Sequence, residues 1–534
     1  MSFARALAVV ALCGSGISAL TNQATNQSAP RFDILIARGT VIDGSGASRV
    51  VNDVAIKDGR IVAVGRFPRS QAAQVIDAAG LIVAPGFIDV HTHAENIAER
   101  PAASNFARMG VTTVVAGNCG TSALDVSAAL AALRDEGIAI NYATLIGHNT
   151  VRSAVMGSDN RLPRAAELAR MKSLVWKAMA DGAVGFSTGL EYVPGAYAQT
   201  PEIIELARVA ANAGGIYTSH MRNEGTALEA SIAETIRIGG AAEARVEISH
   251  LKVDSPSRWG ASEKALAMID EARGRGIDVE ADQYAYTAAS SGLGIRFPSW
   301  VLEGGPAKIA QRLNTPDTWD TIKKEIATTL EARGLHDLSF ATVAFYRPDP
   351  SRNGLSMPQI AQRRFGDGSF ESQLDAAREM LLEGGAQMVY RLMSDEDVER
   401  IMRHPQVAIA SDSSVLLAGD GVPHPRGYGD NARVLGTYVR ARHVLSLEEA
   451  VRKMTSLPAQ HFHFDKRGLV RVGYAADLVL FDPARVADTA TYEAPHAYPD
   501  GIPFVLVNGT IVVKNGAQTP ARPGQVLANS ILQR

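Results

Sequence analysis

Short apolar runs alternate with helical stretches through most of this chain, and that alternation constrains its fold more than any other feature. The apolar runs predict eight strands, at residues 86–93, 111–119, 138–148, 182–188, 215–220, 245–250, 277–282 and 407–412. The stretches with helical periodicity include residues 166–180, 202–213, 228–239 and 263–274. Strands that alternate with helices form parallel sheets, and eight such units are the number in a closed barrel. The chain is therefore predicted to be an α/β protein built on a TIM-like (β/α)8 barrel.

Both ends of the chain carry a different pattern, in which apolar and polar residues alternate and Asp-Gly or Arg-Gly pairs separate the runs. This pattern is typical of antiparallel hairpins. Residues 31–85 and 465–534 are expected to form one small β-sandwich domain, with the barrel domain at residues 86–464 between them. The two segments would then meet although most of the chain separates them.

The last two predicted barrel strands lie far apart in the sequence. A single helix cannot fill that gap, so residues from about 290 to 405 are expected to form an inserted subdomain before the last strand. Its position predicts that it covers the barrel mouth. A moving lid and a static elaboration are equally compatible with the sequence.

The beginning of the chain differs in composition from the rest. Arg5 is followed by an uncharged run from Ala6 to Ala19 and then by a polar stretch, the pattern of a secretory signal peptide. Residues 1–24 are therefore expected to be a signal peptide, which predicts a secreted or periplasmic protein. A buried N-terminal helix is the alternative. The apolar run is too short to span a bilayer comfortably, so no membrane association is expected after cleavage.

The composition of the chain bears on its possible partners and on the roles open to its two cysteines. A formal net charge of −3 in 534 residues, with 20% charged residues, gives no reason to expect nucleic acid as a partner. The two cysteines are Cys13, in the predicted signal peptide, and Cys119. No disulfide partner then remains for Cys119, which is either an inert core residue or a thiolate for metal or nucleophilic chemistry.

Metal-competent side chains stand at the carboxyl ends of the predicted strands, where barrel enzymes build their active sites. They are His91, His93, Cys119, His220, His250 and Asp412. Alternate residues of a strand point the same way, so His91 and His93 can enter the barrel together. A lone histidine such as His250 is more often structural. Six such residues at equivalent positions favour a metal centre.

Several short strings, read together, resemble one enzyme family. They are Pro85-Gly-Phe-Ile-Asp-Val-His-Thr-His93, Gly117-Asn-Cys-Gly120, Thr218-Ser-His-Met-Arg222, Ile248-Ser-His-Leu-Lys252, Ser411-Asp-Ser413, His424-Pro-Arg426, Lys453-Met-Thr455 and Gly473-Tyr-Ala-Ala-Asp-Leu478. From about Phe32 onward the chain resembles the amidohydrolase superfamily, and within it the D-aminoacylase or N-acyl-D-amino-acid deacylase family. The first string marks the superfamily, and Cys119 narrows the choice to this family.

The resemblance implies a zinc ion held tightly by Cys119, His220 and His250, with a second, weaker position near His91, His93 and Asp412. Zinc accepts thiolate, imidazole and carboxylate ligands, and with three protein ligands it keeps a position open for water, which it converts to hydroxide. Asp412 is expected to act as the proton shuttle, and the alternative is that it is only a metal ligand. His148 is expected either to polarise the substrate carbonyl or to orient a neighbour.

A deacylase of N-acyl-amino acids must also bind a carboxylate. The resemblance places this task on Tyr192 and Lys252, with Tyr284, Arg426 and Arg296 as further candidates for which a structural role is equally compatible. The stretch 413–420 is more apolar than a pocket for an acidic side chain requires. An apolar pocket for the substrate side chain is therefore favoured.

The expected function is zinc-dependent hydrolysis of N-acyl-D-amino acids to a carboxylate and a free D-amino acid. The preference for D enantiomers comes from the resemblance alone. Two alternatives stay open: a cyclic-amide hydrolase or D-specific dipeptidase of the same superfamily, and a catalytically silent scaffold. The expected partner is a small-molecule N-acyl amino acid or a short peptide, and the sequence does not define the oligomeric state.

Overall fold

A computed structural model describes residues 31–529 of the chain, so the predicted signal peptide lies outside the described residues. The first five strands are β1 (Phe32–Val41), β2 (Val50–Lys57), β3 (Arg60–Gly65), β4 (Ala72–Asp77) and β5 (Ile82–Pro85). Strands β2 and β3 form a hairpin whose turn residues, Asp58 and Gly59, both have positive φ, as a tight turn of this kind requires. Strand β1 pairs antiparallel with β2 but parallel with both β4 and β5.

The barrel strands follow, each ending near the same rim. They are β6 (Phe87–Asp89) with β7 (Thr92–His93), β8 (Val111–Ala116), β9 (Asn141–Thr144) with β10 (Ile146–Gly147), β11 (Gly185–Gly189), β12 (Ile216–His220), β13 (Val246–Ile248) and β14 (Val279–Gln283). The helices between them are α1 (Ser104–Arg108), α2 (Val126–Glu136), α3 (His148–Met156), α4 (Ala165–Ala180), α5 (Thr200–Asn212), α6 (Leu228–Ala242) and α7 (Ser262–Gly274). The four predicted helices are present within three residues of their expected bounds.

After β14 the chain forms the inserted subdomain. Its strands β15 (Ala288–Gly292), β16 (Ala341–Phe345) and β17 (Gln387–Arg391) make an antiparallel sheet, and its helices are α8 (Pro306–Asn314), α9 (Pro316–Ala332), α10 (Met357–Phe365) and α11 (Phe370–Leu382). These elements enclose their own hydrophobic core around Trp319, Tyr346 and Tyr390. The next helix, α12 (Asp395–Arg403), packs against α7 and the last barrel strand rather than against this core.

The last barrel strand closes the barrel. It consists of β18 (Val407–Ile409), which pairs parallel with β14, and β19 (Ser413–Ser414), which pairs parallel with β7. The helices α13 (Arg426–Arg433), α14 (Leu447–Met454) and α15 (Ser456–His461) follow, and a π-helical stretch, Val434–Ala441, continues α13. All neighbouring barrel strands are parallel, which confirms the predicted TIM-like barrel. Residues of α15 pack into the hydrophobic cluster of the barrel interior.

The final strands complete the small domain. They are β20 (Leu478–Phe481), β21 (Phe504–Val507), β22 (Thr510–Lys514) and β23 (Ala517–Gln518). Strand β20 pairs antiparallel with β5, so the two ends of the chain share one continuous nine-stranded sheet. The expectation of an antiparallel sheet is wrong for β4 and β5, which follow the β2–β3 hairpin and pair parallel with β1.

Candidate metal centre and active site

The residues that the sequence singled out as metal-competent converge at the carboxyl ends of the barrel strands. Three of them, Cys119, His250 and Asp412, have left-handed backbone, with φ of 53°, 36° and 50°. Residues other than glycine rarely adopt this conformation, and where they do the surrounding structure holds them there, often at functional sites. Gly117 and Gly120, with φ of 81° and 78°, flank Cys119 and allow the chain to turn sharply there.

The thiol of Cys119 lies at the centre of the group. Its Sγ is 3.7 Å from His220 Nδ1 and 3.6 Å from His250 Nε2. In a tetrahedral zinc site, sulfur and nitrogen ligands lie about 3.5 Å apart. The two imidazole nitrogens are 2.8 Å apart and need to separate by only about 0.5 Å to reach the spacing of about 3.3 Å expected between nitrogen ligands. The sulfur and the two nitrogens therefore fit a zinc ion between them.

A second group of ligand atoms shares this thiol. His91 Nε2 is 3.3 Å from Cys119 Sγ and 3.6 Å from Asp412 Oδ1, and His93 Nε2 is 3.2 Å from the same oxygen. The rings of His91 and His93 have centroids 5.9 Å apart, as expected of side chains that enter from one strand end. The arrangement offers two overlapping metal positions with one shared sulfur.

Each imidazole that faces the thiol is held from behind by a carboxylate. Glu191 lies 3.1 Å from His220 Nε2, Glu224 lies 2.9 Å from His250 Nδ1, and Asp282 lies 3.1 Å from His91 Nδ1. Such carboxylates keep the proton on the remote nitrogen and leave the other nitrogen free to bind a metal. The sequence analysis did not identify these three residues. The available signal was an acidic residue at or just beyond a strand end, but acidic residues are too common there to be distinguished in that way.

The electrostatics favour an anionic ligand set. Burial opposes ionisation of Cys119, but the charge of His91 and hydrogen bonds from the neighbouring imidazoles hold the pKa of the thiol well below its usual range. Burial also opposes ionisation of Asp412, but the charges of Arg426 and His91 hold its pKa well below its usual value. The site therefore presents a thiolate and a carboxylate together, which a divalent cation would neutralise.

Arg426 forms an ion pair with Asp412 and is therefore not free to bind a substrate carboxylate. Its guanidinium lies 2.9 Å from Asp412 Oδ2 and stacks over Tyr284 at 4.6 Å. Tyr284 is buried, and its hydroxyl donates to the sulfur of Met393 at 3.7 Å. Both residues therefore lie beside the site, and their contacts fit the support of Asp412 better than direct contact with a substrate.

Lys252 is also neutralised within the protein. Its ammonium is 2.6 Å from Glu224 Oε2 and is almost completely buried. The hydroxyl of Tyr192 lies 3.3 Å from His220 Nδ1 and accepts a hydrogen bond from Ser291 at 3.2 Å. Tyr192 thus borders the ligand atoms directly, whereas Lys252 lies behind the ring of His250, 2.9 Å from its remote nitrogen Nδ1.

Arg296 is the cation of this region that has no acidic partner among the described residues. It lies in a small recess that also contains Tyr192 and Lys252, and its guanidinium stacks on Tyr390 at 4.5 Å. Its Nε is buried without a hydrogen-bond partner in the described part of the chain. A half-buried guanidinium with unused donors is suited to a carboxylate ligand.

The structure does not bring His148 to this group. Its Nε2 is 2.9 Å from Glu202, and its Nδ1 is 3.3 Å from Asn149, at the buried start of α3. His148 therefore cannot polarise a carbonyl at the ligand atoms. Asn149 donates to the backbone oxygen of Gly189 at 3.1 Å, so the pair fits the alternative role of holding a neighbouring loop.

A cavity of about 530 Å³ opens onto the ligand atoms. The inserted subdomain supplies one wall, which includes Ala344 and Phe345, and the stretch after Asp412 supplies another, which includes Leu416. Arg100 lies on the rim, where Asp420 neutralises it at 3.2 Å. Polar side chains, among them Ser291 and Gln387, complete the lining, so the cavity is mixed in polarity and its rim charges are paired.

A closed parallel barrel with cysteine, histidine and aspartate ligands at its strand ends defines a metal-dependent barrel enzyme. A family model described as the amidohydrolase family matches residues 74–513. The N-acyl-D-glutamate deacylase of Alcaligenes xylosoxydans xylosoxydans is 37% identical over 93% of this chain and 96% of its own length. The D-aminoacylase of the same organism is 37% identical over 93% of this chain and 98% of its own length.

A solved structure is similar over the same extent. The N-acyl-D-glutamate deacylase of Bordetella bronchiseptica, in complex with zinc and a phosphonate mimic of the tetrahedral intermediate, gives a TM-score of 0.80 at 38% identity. The alignment covers 93% of this chain and 100% of that protein. The chain belongs to the amidohydrolase family, as the strings in its sequence predicted.

Proposed function

We propose that this protein hydrolyses the amide bond of N-acyl-D-amino acids in a zinc-dependent reaction, with release of a carboxylate and a free D-amino acid. The observation that carries the proposal is the convergence of Cys119, His220 and His250 within bonding distance of one ion, next to Asp412. The D-aminoacylase and the N-acyl-D-glutamate deacylase are the relatives that support the choice of reaction.

The residues present fit zinc, since a thiolate and two carboxylate-oriented imidazoles are a ligand set that it prefers and that leaves a position open. Zinc bound there would supply Lewis-acid activation of the amide carbonyl and of water. Cys119 and the imidazoles of His220 and His250 would hold it in place. Glu191 and Glu224 fix the orientation of those imidazoles, since each contacts the ring nitrogen that faces away from Cys119.

Asp412 carries the proton in this proposal. Arg426 holds Oδ2, which leaves Oδ1 facing the ligand atoms, and the low pKa keeps the group ionised before reaction. The carboxylate can then accept a proton from the attacking water and deliver it to the departing nitrogen. Arg426 acts as a positioning residue, because it reaches the reacting atoms only through Asp412.

Tyr192 supplies a hydrogen-bond donor to the acyl oxygen as negative charge develops on it. Burial, together with the charges of Cys119 and Glu191, raises the pKa of the hydroxyl well above its usual value, so it stays protonated. Ser291 donates to this hydroxyl, and the other acceptor within reach, His220 Nδ1, would be used to hold the metal, so the hydroxyl proton can point at the substrate. Arg296 binds the substrate carboxylate with its unused donors, whereas Lys252 is already paired with Glu224.

The test combines zinc analysis with turnover of acetyl and formyl derivatives of D- and L-amino acids, one cyclic amide and one dipeptide that ends in a D-residue. Turnover of the D-derivatives by a zinc-loaded protein supports the proposal. Exclusive turnover of the cyclic amide or of the dipeptide would overturn the substrate class. A protein that binds no zinc and turns over none of them would be a silent scaffold.

Asp412→Asn separates the two roles of that residue. Loss of activity with zinc retained supports proton transfer by Asp412, whereas loss of zinc as well identifies it as a metal ligand. Asp420→Asn is the matched control, because this rim carboxylate contacts Arg100 and none of the ligand atoms. The control should retain turnover of derivatives with neutral side chains.

We also propose that the protein is exported, because its first residues follow the signal-peptide pattern described above. N-terminal sequencing of the mature protein from the periplasm or culture medium tests this. A start shortly after residue 24 is expected. An intact Met1 on the cytoplasmic protein would contradict export.

A further inference from the structure

A second group of potential ligands lies below the active site, on the amino-terminal side of the barrel. Glu247 of β13 and Glu280 of β14 are paired neighbours in the sheet, and His461 ends α15. Val246 and Ile248 on either side of Glu247 pack in the main hydrophobic core, so the alternation of a strand turns Glu247 toward the barrel interior. These three side chains are buried, and the proposed mechanism does not use them.

The hydrogen bonds of His461 fix which nitrogen carries the proton. Its Nε2 is 3.1 Å from the backbone oxygen of Val246 and 3.0 Å from Glu247 Oε2. Both are acceptors, so Nε2 donates, and Nδ1 carries a lone pair. That lone pair faces Glu280 Oε2 across 3.7 Å, which is too long for a hydrogen bond.

Two atoms of the group are therefore buried without a partner in the described part of the chain. They are His461 Nδ1 and Glu247 Oε1, in side chains that are only 3% and 2% exposed. A buried acceptor without a donor is costly, and each of these two atoms needs a hydrogen or a cation. One ligand atom from each of the three residues lies within 4.8 Å of the others.

The spacing of these atoms suits a metal ion. With metal–ligand bonds of about 2.1 Å, a separation of 3.7 Å corresponds to an angle of about 120° between the nitrogen and oxygen ligands. Two carboxylates and one neutral imidazole leave a charge that a divalent cation would neutralise. The nearby guanidinium of Arg245 does not neutralise this charge, because it donates to the backbone oxygen of His461 and pairs with Asp278.

We propose that Glu247, Glu280 and His461 bind a second, structural zinc ion, separate from the active-site metal. Imidazole together with carboxylates selects a transition metal over calcium or magnesium. The ion would tie β13 and β14 to α15, the helix that fills this side of the barrel and leads into the small domain. The side chain of Glu280 keeps 10% of its surface exposed, which gives the ion a route from solvent.

Anomalous diffraction at the zinc edge, from crystals of the full-length protein soaked in zinc, tests the proposal directly. A peak between Glu280 Oε2 and His461 Nδ1 is expected in addition to the peak at Cys119. Saturated crystals with zinc at Cys119 and no peak at this second position would overturn it. The absence of this second peak would show that a proton, and not a metal ion, lies between Glu280 and His461.

Two variants extend the test to solution. Glu280→Gln should hold one zinc less per chain than the wild-type protein and should lose part of the rise in Tm that zinc produces, because a metal that binds only the folded state stabilises it. Glu449→Gln is the matched control, since Glu449 lies on α14 and pairs with Arg452. Equal zinc content in Glu280→Gln and the wild-type protein would also overturn the proposal.

Discussion

Glu224 both orients a metal-binding histidine and neutralises a buried lysine, and Glu224→Gln disturbs both functions. The carboxylate touches His250 Nδ1 at 2.9 Å through one oxygen and the ammonium of Lys252 at 2.6 Å through the other. Glutamine has nearly the same size but no charge. The substitution therefore leaves Lys252 buried without a counter-ion and leaves His250 without the carboxylate that orients it.

Two magnitudes follow from these contacts. Removal of one member of a buried ion pair costs about 3–5 kcal/mol of the free energy of unfolding, because the remaining charge stays buried. Loss of the carboxylate behind a metal-binding histidine lowers metal affinity by about 10- to 100-fold. Glu224→Gln should thus lower both the Tm of the zinc-free protein and its affinity for zinc.

A double variant distinguishes the two effects. Glu224→Gln with Lys252→Met removes both charges, so the Tm of the zinc-free protein should return most of the way to the wild-type value. Zinc affinity, measured by competition with a chromophoric chelator, should stay low because His250 still lacks its carboxylate. Glu234→Gln is the control, since Glu234 of α6 pairs with Arg222 and contacts none of the metal-binding side chains. Wild-type zinc affinity in Glu224→Gln would refute the reasoning.

Two further predictions concern the base of the barrel and the loop of the thiol. Burial lowers the pKa of Lys453 to about 7, against about 10.4 in an unfolded chain, so between these values the unfolded state binds more protons and the protein gains stability as pH rises. Lys453→Met should therefore show a smaller rise in Tm from pH 7 to 9 than the wild-type protein, and equal slopes would contradict this. In Gly189→Ala the new Cβ would lie 2.1 Å from the backbone oxygen of Cys119, so zinc and activity should both be lost. Gly292→Ala, with no atom within 4 Å of its Cβ, should keep both, and a zinc-loaded Gly189→Ala would refute the argument.

The barrel and its ligands were predictable because both depend on local patterns. The carboxyl ends of parallel strands meet at one rim, so a thiol or imidazole at the end of an apolar run must lie near the others. His220 shows the simplest case, since it ends β12 and lies in the predicted place. The sequence therefore predicts which side chains form the candidate metal centre, although it does not give the distances between them.

The partners of those ligands were not predictable in the same way. Lys252 was expected to face a substrate carboxylate, but Glu224 neutralises it, and no pattern in the sequence joins two residues 28 positions apart with α6 and β13 between them. His148 also ends a predicted strand, yet its ring turns toward Glu202 of α5. Whether a side chain at the end of a strand faces the barrel axis or the surrounding helices depends on the backbone dihedral angles at that residue.

His250 shows how large that dependence is. Ile248 packs in the main hydrophobic core, and in a regular strand the residue two positions later would point the same way, away from the ligand atoms. The left-handed backbone at His250, with φ of 36°, breaks this alternation and brings its Nε2 to 3.6 Å from Cys119 Sγ. The backbone nitrogen of His250 donates to Asp282 Oδ1 at 2.9 Å, while the other oxygen of Asp282 holds His91. One buried carboxylate thus maintains the unfavourable conformation of one ligand and the orientation of another, which explains why the two imidazoles can share a centre although their strands are not adjacent.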